Sequence, residues 1–294
     1  MPDNKKSAVA LGLFDGVHLG HRAVISLPVK MAEKGFVPSV FTFRSGSLRQ
    51  KQCRRIDYIY SDIQKNKLLS ELGIVQIFSE DFNNIKSLSG EEFVKNILIN
   101  KLNAGFVSCG RDFRFGKNAS CNAADLAGFG EKFGFQVEIA DDISFNGENV
   151  SSNRIRELLK NGCVPEANTL LGEEYRIDGK VVHGRQLGRT LDFPTVNQLY
   201  DDAQLIPRKG VYRSAAFVGG KKFDSITNIG VKPTVDKDIS PLAETHILGF
   251  DSDVYGENIT VKLLGFVRDE RKFNSIEELR NQIACDIKSC ERNA

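Results

Sequence analysis

No apolar run in this 294-residue chain approaches the roughly 20 residues needed to span a bilayer as a helix. The opening Met1-Pro2-Asp3-Asn4-Lys5-Lys6 is not followed by a signal-type apolar region, so a cytoplasmic protein with no membrane partner is the expectation. Cysteines are scattered. None of Cys53, Cys109, Cys121, Cys163, Cys285 and Cys290 forms Cys-x-x-Cys or sits with histidine at zinc spacing, so thiolate–metal chemistry is not expected and all are read as reduced. The formal net charge is only +2, which provides no electrostatic footprint for nucleic acid or an acidic membrane, and any phosphate site must be local. Internal repeats and low-complexity tracts are absent too. Histidine is scarce, with four in the whole chain.

What is present is an ordinary globular composition, 41% hydrophobic and 27% charged, in a chain longer than the usual single domain of about 100–200 residues. Two domains are expected, residues 1–168 and 173–294, with Val164 to Gly172 as the junction. In the first half, hydrophobic spacing predicts strands at 8–13, 39–43, 74–79, 106–109 and 136–140, alternating with helices at 20–34, 61–72, 89–102 and 123–133. Such alternation argues for a doubly wound parallel sheet, whose ligands bind beyond the carboxyl ends of the strands. From about Tyr175 the pattern changes to β-branched runs between glycines and prolines, at 179–183, 210–218, 225–229, 245–250 and 259–267. These predict a small antiparallel barrel followed by one helix, Ser275 to Cys290, capped by Ser275 with Glu277 and Glu278 in its first turn.

Two of the four histidines share one turn, Gly12-Leu13-Phe14-Asp15-Gly16-Val17-His18-Leu19-Gly20-His21, between a strand and a helix. A helix N-terminus offers unpaired N–H groups and the positive end of the macrodipole, and Gly16 and Gly20 let a nucleotide approach the backbone. A single histidine there would be an ordinary cap; the pair points to a triphosphate. A second helix start, Val150-Ser151-Ser152-Asn153-Arg154-Ile155-Arg156, carries hydroxyls that serve as N-caps and guanidiniums that oppose the dipole unless an anion compensates them. Gly110-Arg111-Asp112-Phe113-Arg114-Phe115-Gly116 is a basic, aromatic loop suited either to a flat ligand or to tucking its rings into the core.

In the second half, His183-Gly184-Arg185-Gln186-Leu187-Gly188-Arg189-Thr190 reads as a basic flap, followed by Pro194-Thr195-Val196-Asn197. Thr195 and Asn197 point the same way on an extended segment and suit a hard cation such as magnesium, although a hairpin with a polar face would also place them so. Glu244, at the start of an otherwise apolar strand, is a candidate general base for a substrate hydroxyl.

Together these motifs resemble the bifunctional bacterial riboflavin kinase/FAD synthetase family, in order and over nearly the whole chain. The resemblance rests on Gly12 to His21, Gly110 to Gly116, Ser151 to Arg156, Pro194 to Asn197, Asn228 to Thr234, Glu244, and Asp253-Val254-Tyr255-Gly256. It implies an N-terminal nucleotidyltransferase sheet and a C-terminal riboflavin kinase barrel, working on small molecules with Mg2+ and with ATP, riboflavin, FMN and FAD as substrates or products. In the barrel, Glu244 would be the base for the ribityl hydroxyl, Thr195 and Asn197 the magnesium ligands, and Gly184, Gly188, Arg189, Thr190 and Pro194 part of the ATP site. In the sheet domain, His18 and His21 would stabilise charge on the α-phosphorus of ATP. Ser152 and Arg156 would hold the outgoing phosphates, Gly12, Phe14, Asp15, Gly16, Ser151 and Arg154 would complete the nucleotide-binding set, and Asp112 and Phe113 would face adenosine or flavin.

Three positions depart from the family pattern. Phe43-Arg44-Ser45-Gly46-Ser47 replaces a Phe-Asp-Pro-His-Pro turn and lacks a third histidine, Asn153 replaces a usual threonine, and Asp192 replaces a glycine near the phosphates. The first implies a slower adenylylation half. The rival readings are a nucleotidyltransferase for another phosphate substrate, against which the barrel argues, and a flavin-binding or regulatory homologue that has lost one activity. Oligomeric state is not legible.

Overall fold

Ser-Ala-Val-Ala-Leu of β1 (Ser7–Leu11) is buried at every position, as a central strand of a parallel sheet requires. The structure, a computed structural model, describes residues 5–47, 57–183, 193–200, 204–233 and 239–291. Its contacts divide the chain into two units, Met1–Ser152 and Asn153–Ala294.

In the first unit β1 is flanked by β2 (Val37–Phe43), which pairs outward with β3 (Gln76–Glu80), and on its other side by β4 (Ala104–Gly110). A two-stranded ribbon of β5 (Arg114–Phe115) and β6 (Cys121–Asn122) precedes β7 (Gln136–Ala140), which closes the order β3-β2-β1-β4-β7 with every sheet pair parallel. The chain therefore reverses its direction of winding between β1 and β4, so the turn leaving β1 lies at the switch point where such sheets bind ligands. A short ribbon, β8 (Ser144–Phe145) with β9 (Glu148–Asn149), ends the unit.

Helix ends follow from their caps. Ser61 and Gln64 form a capping box before α2 (Asp62–Glu71), a short α3 (Phe82–Ile85) follows, and Ser89 with Glu92 does the same for α4 (Gly90–Phe93). Asn122 and Asp125 cap α5 (Ala123–Phe133), which Gly134 terminates at φ +80°. The helix expected from Ser89 to Leu102 is α-helical only through Phe93 and continues as a π-helix from Val94 to Lys101. The first helix, α1 (Leu19–Lys30), stops earlier than its spacing predicts, and Met31–Lys34 tightens to a 3-10 turn that Gly35 ends at φ +83°.

Pro28 sits inside α1 and has no N–H for the carbonyl of Val24 four residues back. The hydroxyl of Ser108, fully buried on β4, donates to that carbonyl at 2.9 Å. One proline thus frees an acceptor, and one sheet serine fills it and locks the helix to the strand beside β1.

The second unit takes in most of α6 (Ser152–Asn161), then α7 (Val164–Leu171), ended by Gly172 at φ +75°. The segment expected as a junction is helical, with Val164, Ala167, Leu170 and Leu171 fully buried. Six antiparallel strands then close a barrel: β10 (Arg176–Val182), β11 (Thr195–Leu199), β12 (Gly210–Val218), β13 (Lys221–Pro233), β14 (Ile239–Ile247) and β15 (Asn258–Arg268), in the order β10-β11-β14-β13-β12-β15. The last helix, α8 (Ile276–Glu291), starts where Ser275 accepts the Glu278 N–H at 3.1 Å, and Arg268 of β15 clamps it through both carboxylate oxygens of buried Asp286. The fold class expected from the sequence, a doubly wound sheet followed by an antiparallel barrel and helix, is the one observed.

Candidate active sites

The turn after β1 is strained and over-determined. Phe14 and Val17 adopt φ of +53° and +44°, and for a β-branched valine this costs about 1–3 kcal/mol. Six hydrogen bonds hold the shape. The Gly12 N–H reaches Phe41 O at 3.2 Å, the Thr42 hydroxyl reaches Leu13 O at 2.9 Å, and the Val17 N–H closes on Phe14 O at 3.2 Å. Ile59 donates its N–H to the buried carboxylate of Asp15 at 2.8 Å, Ser152 donates its hydroxyl to Asp15 O at 2.8 Å, and Arg22 Nε donates to Val17 O at 3.0 Å. Gly16 is required twice over, since its φ is +84° and an added Cβ would lie 2.6 Å from Ile59 Cδ1.

This frame delivers two imidazoles to the first turn of α1. His18 is the N-cap, its Nδ1 accepting the His21 backbone N–H at 3.3 Å, so a neutral His18 carries its ring proton on Nε2. The His21 ring stacks on that of His18 with centroids 3.6 Å apart, and the edge of Phe14 closes its other side at 5.4 Å. Burial, then the charge of His18, then that of Lys65 hold the His21 pKa well below the usual 6.5. His21 is therefore neutral at pH 7, and its Nδ1 is buried with no hydrogen-bond partner among the described residues. A pair of close, nearly parallel rings at the positive end of a helix, one with an unused buried nitrogen, suits an anionic guest rather than a packed core.

The neighbouring sequence expectations fall out differently. Ser152 does not simply cap α6; its hydroxyl turns back to the histidine turn. Ser151 is exposed beside it. Arg154 and Arg156 fall in the second unit, where Arg154 pairs with Glu166 at 3.0 Å and Arg156 donates to the Asn153 side chain. In the aromatic loop, Phe115 is a core residue, Phe113 stacks on it at 5.7 Å while half-buried, and Asp112 is exposed. Burial, and then the charge of Asp112, push the Cys109 thiol up to about 12, which leaves it unreactive. Where a third histidine was missing, Ser45 donates its N–H and hydroxyl to Asp62, each at 2.8 Å.

In the barrel the register assembles the second site. Val211 pairs with Asn228, Asn228 with Glu244, and Glu244 with Asn197, so these four side chains form one row across β12, β13, β14 and β11. Val211 and Ile226 pack against Cys290 of α8, which places the row on the outer face. Glu244 thus stands between two carboxamides. Thr195 follows two residues before Asn197 on the same face, opposite His246, whose Nδ1–H donates to Pro194 O at 2.8 Å. Asn197 is buried and its Oδ1 has no hydrogen-bond partner among the described residues, an oxygen donor suited to a hard cation.

A cleft of about 540 Å³ opens beside this row, with Pro194, Thr195, Phe250, Asp253 and Tyr255 in its wall, a size that holds a nucleotide or a flavin. Tyr255 stacks on His183 at 3.9 Å. On the inner face, four buried hydroxyls, Ser225, Ser214, Thr227 and Thr245, link at 2.8, 2.8 and 2.9 Å and pin the strands that carry Glu244 and Asn228. Gly184, Gly188, Arg189 and Thr190 of the flap, and Asp192, lie outside the described residues. Sequence reasoning passed over Lys65, Phe250 and the hydroxyl chain; for Lys65 the signal was a charged residue on the same helix face as Leu68 and Leu69.

A parallel nucleotide-type sheet with paired histidines at its switch point, joined to a barrel with a carboxylate between two carboxamides, defines a two-domain transferase of phosphorylated compounds. Comparison with known proteins agrees. Residues 1–154 match the FAD synthetase family and residues 171–294 the riboflavin kinase family. The bifunctional riboflavin kinase/FMN adenylyltransferase of Bacillus subtilis is 36% identical over 97% of this chain and 91% of its own. That of Haemophilus influenzae is 34% identical over 97% and 93%. A crystal structure described as a macrolide-efflux protein from Streptococcus pneumoniae is 30% identical and superposes with a TM-score of 0.86 over 99% of this chain and 95% of that one. No helix among the described residues is long and apolar enough to cross a membrane. The chain belongs to the bifunctional riboflavin kinase/FMN adenylyltransferase family, as its motifs implied.

Proposed function

We propose that this chain phosphorylates riboflavin to FMN in its barrel and adenylylates FMN to FAD at its histidine turn, using ATP twice in a cytoplasmic setting. The observation that carries the reading is the stacked His18–His21 pair held at a strained helix start, in a chain that also places Glu244 between Asn197 and Asn228.

In the kinase step the terminal ribityl hydroxyl attacks the γ-phosphorus of ATP, and Glu244 takes the hydroxyl proton as ADP leaves. Asn197 Oδ1 and the Thr195 hydroxyl are a donor set suited to magnesium, which when bound supplies charge neutralisation on the phosphate oxygens. The adjacent cleft supplies the walls, Phe250 and Tyr255 giving flat surfaces for a flat ring. In the adenylylation step a phosphate oxygen of FMN attacks the α-phosphorus of ATP and pyrophosphate leaves. His18 and His21 donate ring N–H groups to the oxygens on which charge builds, in a turn whose shape is set before substrate arrives. A neutral His21 avoids repulsion with His18 and gains a proton only when phosphate makes that favourable.

Incubation with riboflavin, ATP and magnesium, followed by separation of the flavins, tests both steps. FMN and FAD are expected in sequence. Unchanged riboflavin would refute the kinase assignment, and FMN that never becomes FAD would refute the adenylyltransferase.

A further inference from the structure

Lys65 is a buried cation that the mechanism above does not use. Only 3% of it is exposed, on the inward face of α2 with Leu68 and Leu69. Its ammonium donates to Phe43 O at 2.9 Å, at the carboxyl end of β2, and pairs with Asp62 at 3.1 Å. That carboxylate is shared, since it also accepts from Ser45 N and Oγ. A third ammonium proton has no acceptor among the described residues.

Packing alone does not account for this choice. Only the lysine end of this ion pair is buried, at a desolvation cost that a half-exposed partner does not fully return, and the lysine lies near the start of a helix, where the dipole opposes it. Its placement is functional in kind. Phe43 ends the strand whose Phe41 and Thr42 hold Gly12 and Leu13 of the histidine turn, and Ile59, just before α2, holds Asp15. Lys65 therefore sits between two of the clamps on that turn, at the sheet edge where ligands bind.

We propose that Lys65 is a positioning residue of the adenylylation site, fixing the end of β2 through Phe43 and Asp62 and placing its positive charge behind the strand that holds the His18–His21 turn. The proposal rests on the histidine reading given above. The charge acts through His21, and its direction matches the field that His21 feels. His18 is the other titratable group in contact with that ring; on the elements packed about it, the Asp15 carboxylate is held on the turn by Ile59 N–H, Arg22 of α1 donates to Val17 O, and Asp62 of α2 pairs with Lys65 and partly offsets its charge.

The test is His21 titration followed by NMR, tractable with four histidines in the chain, together with the pH profile of FAD formation from FMN. In Lys65→Met the His21 midpoint rises and FAD formation at pH 7 falls tenfold or more, while Lys65→Arg restores both. Asp62→Asn, which removes the offsetting carboxylate, moves the midpoint the other way and covers the case in which Lys65→Met fails to fold. FMN formation from riboflavin in the same samples reports on the rest of the chain. A His21 midpoint indifferent to both Lys65→Met and Asp62→Asn overturns the proposal. His21→Asn that still makes FAD at the parent rate overturns the histidine reading itself, and the role of Lys65 with it.

Discussion

The pairing of Pro28 with Ser108 gives the sharpest stability prediction. Ser108→Ala removes the donor that satisfies Val24 O inside α1, in a position with no access to water. An orphaned buried carbonyl costs about 1–3 kcal/mol. Pro28→Ala supplies a backbone N–H aimed at the same carbonyl, which has two lone pairs and accepts both donors. In that background Ser108→Ala should cost only the small packing loss of a hydroxyl, so the two substitutions should couple by about 1–2 kcal/mol. Urea unfolding of the four proteins of this cycle, followed by hydrogen exchange at α1 amides, measures the coupling. Because α1 carries His21 and is capped by His18, Ser108→Ala should also slow FAD formation more than FMN formation. Equal costs of Ser108→Ala in the parent chain and in the Pro28→Ala background would refute the reasoning.

Other consequences can be checked as directly. Gly16→Ala forces a Cβ to 2.6 Å from Ile59 at φ +84° and should destabilise the first unit by about 1–3 kcal/mol and lose FAD formation, read by thermal melting and flavin chromatography. His21 resists protonation in the fold, so the unfolded chain binds more protons below the usual value of 6.5; the stability it contributes is complete above that pH and declines below it. His21→Asn should flatten that part of a pH-dependent denaturation series. Thr227→Val cuts the hydroxyl chain at its centre, separating the Thr245 hydroxyl from Ser214, and should cost about 1–3 kcal/mol in urea unfolding while raising the KM of the kinase step.

Much of this architecture was legible in the residues because local rules act locally. Ser61 with Gln64, Ser89 with Glu92 and Asn122 with Asp125 mark helix starts in sequence and in space alike. The histidine turn was legible for the same reason, since strand, glycine and helix are contiguous there. What stayed hidden depends on distant partners. The row of Asn228, Glu244 and Asn197 exists only through the strand registers, which bring together residues of three different strands. The positive φ at Val17 belongs to a turn that Ile59, Thr42 and Ser152 hold from outside, and nothing in its own neighbours in sequence signals it. Lys65 is one of several charges on α2, and only the packing of that helix puts it on the buried face with Leu68 and Leu69.

The central claim is that two reactions run at two separate sites on one chain. It is tested most directly by giving His21→Ala and Glu244→Ala riboflavin or FMN with ATP and magnesium and separating the products. His21→Ala should make FMN and no FAD, and Glu244→Ala should leave riboflavin untouched yet convert supplied FMN to FAD. Loss of both steps in both variants, with the proteins folded, would contradict the account.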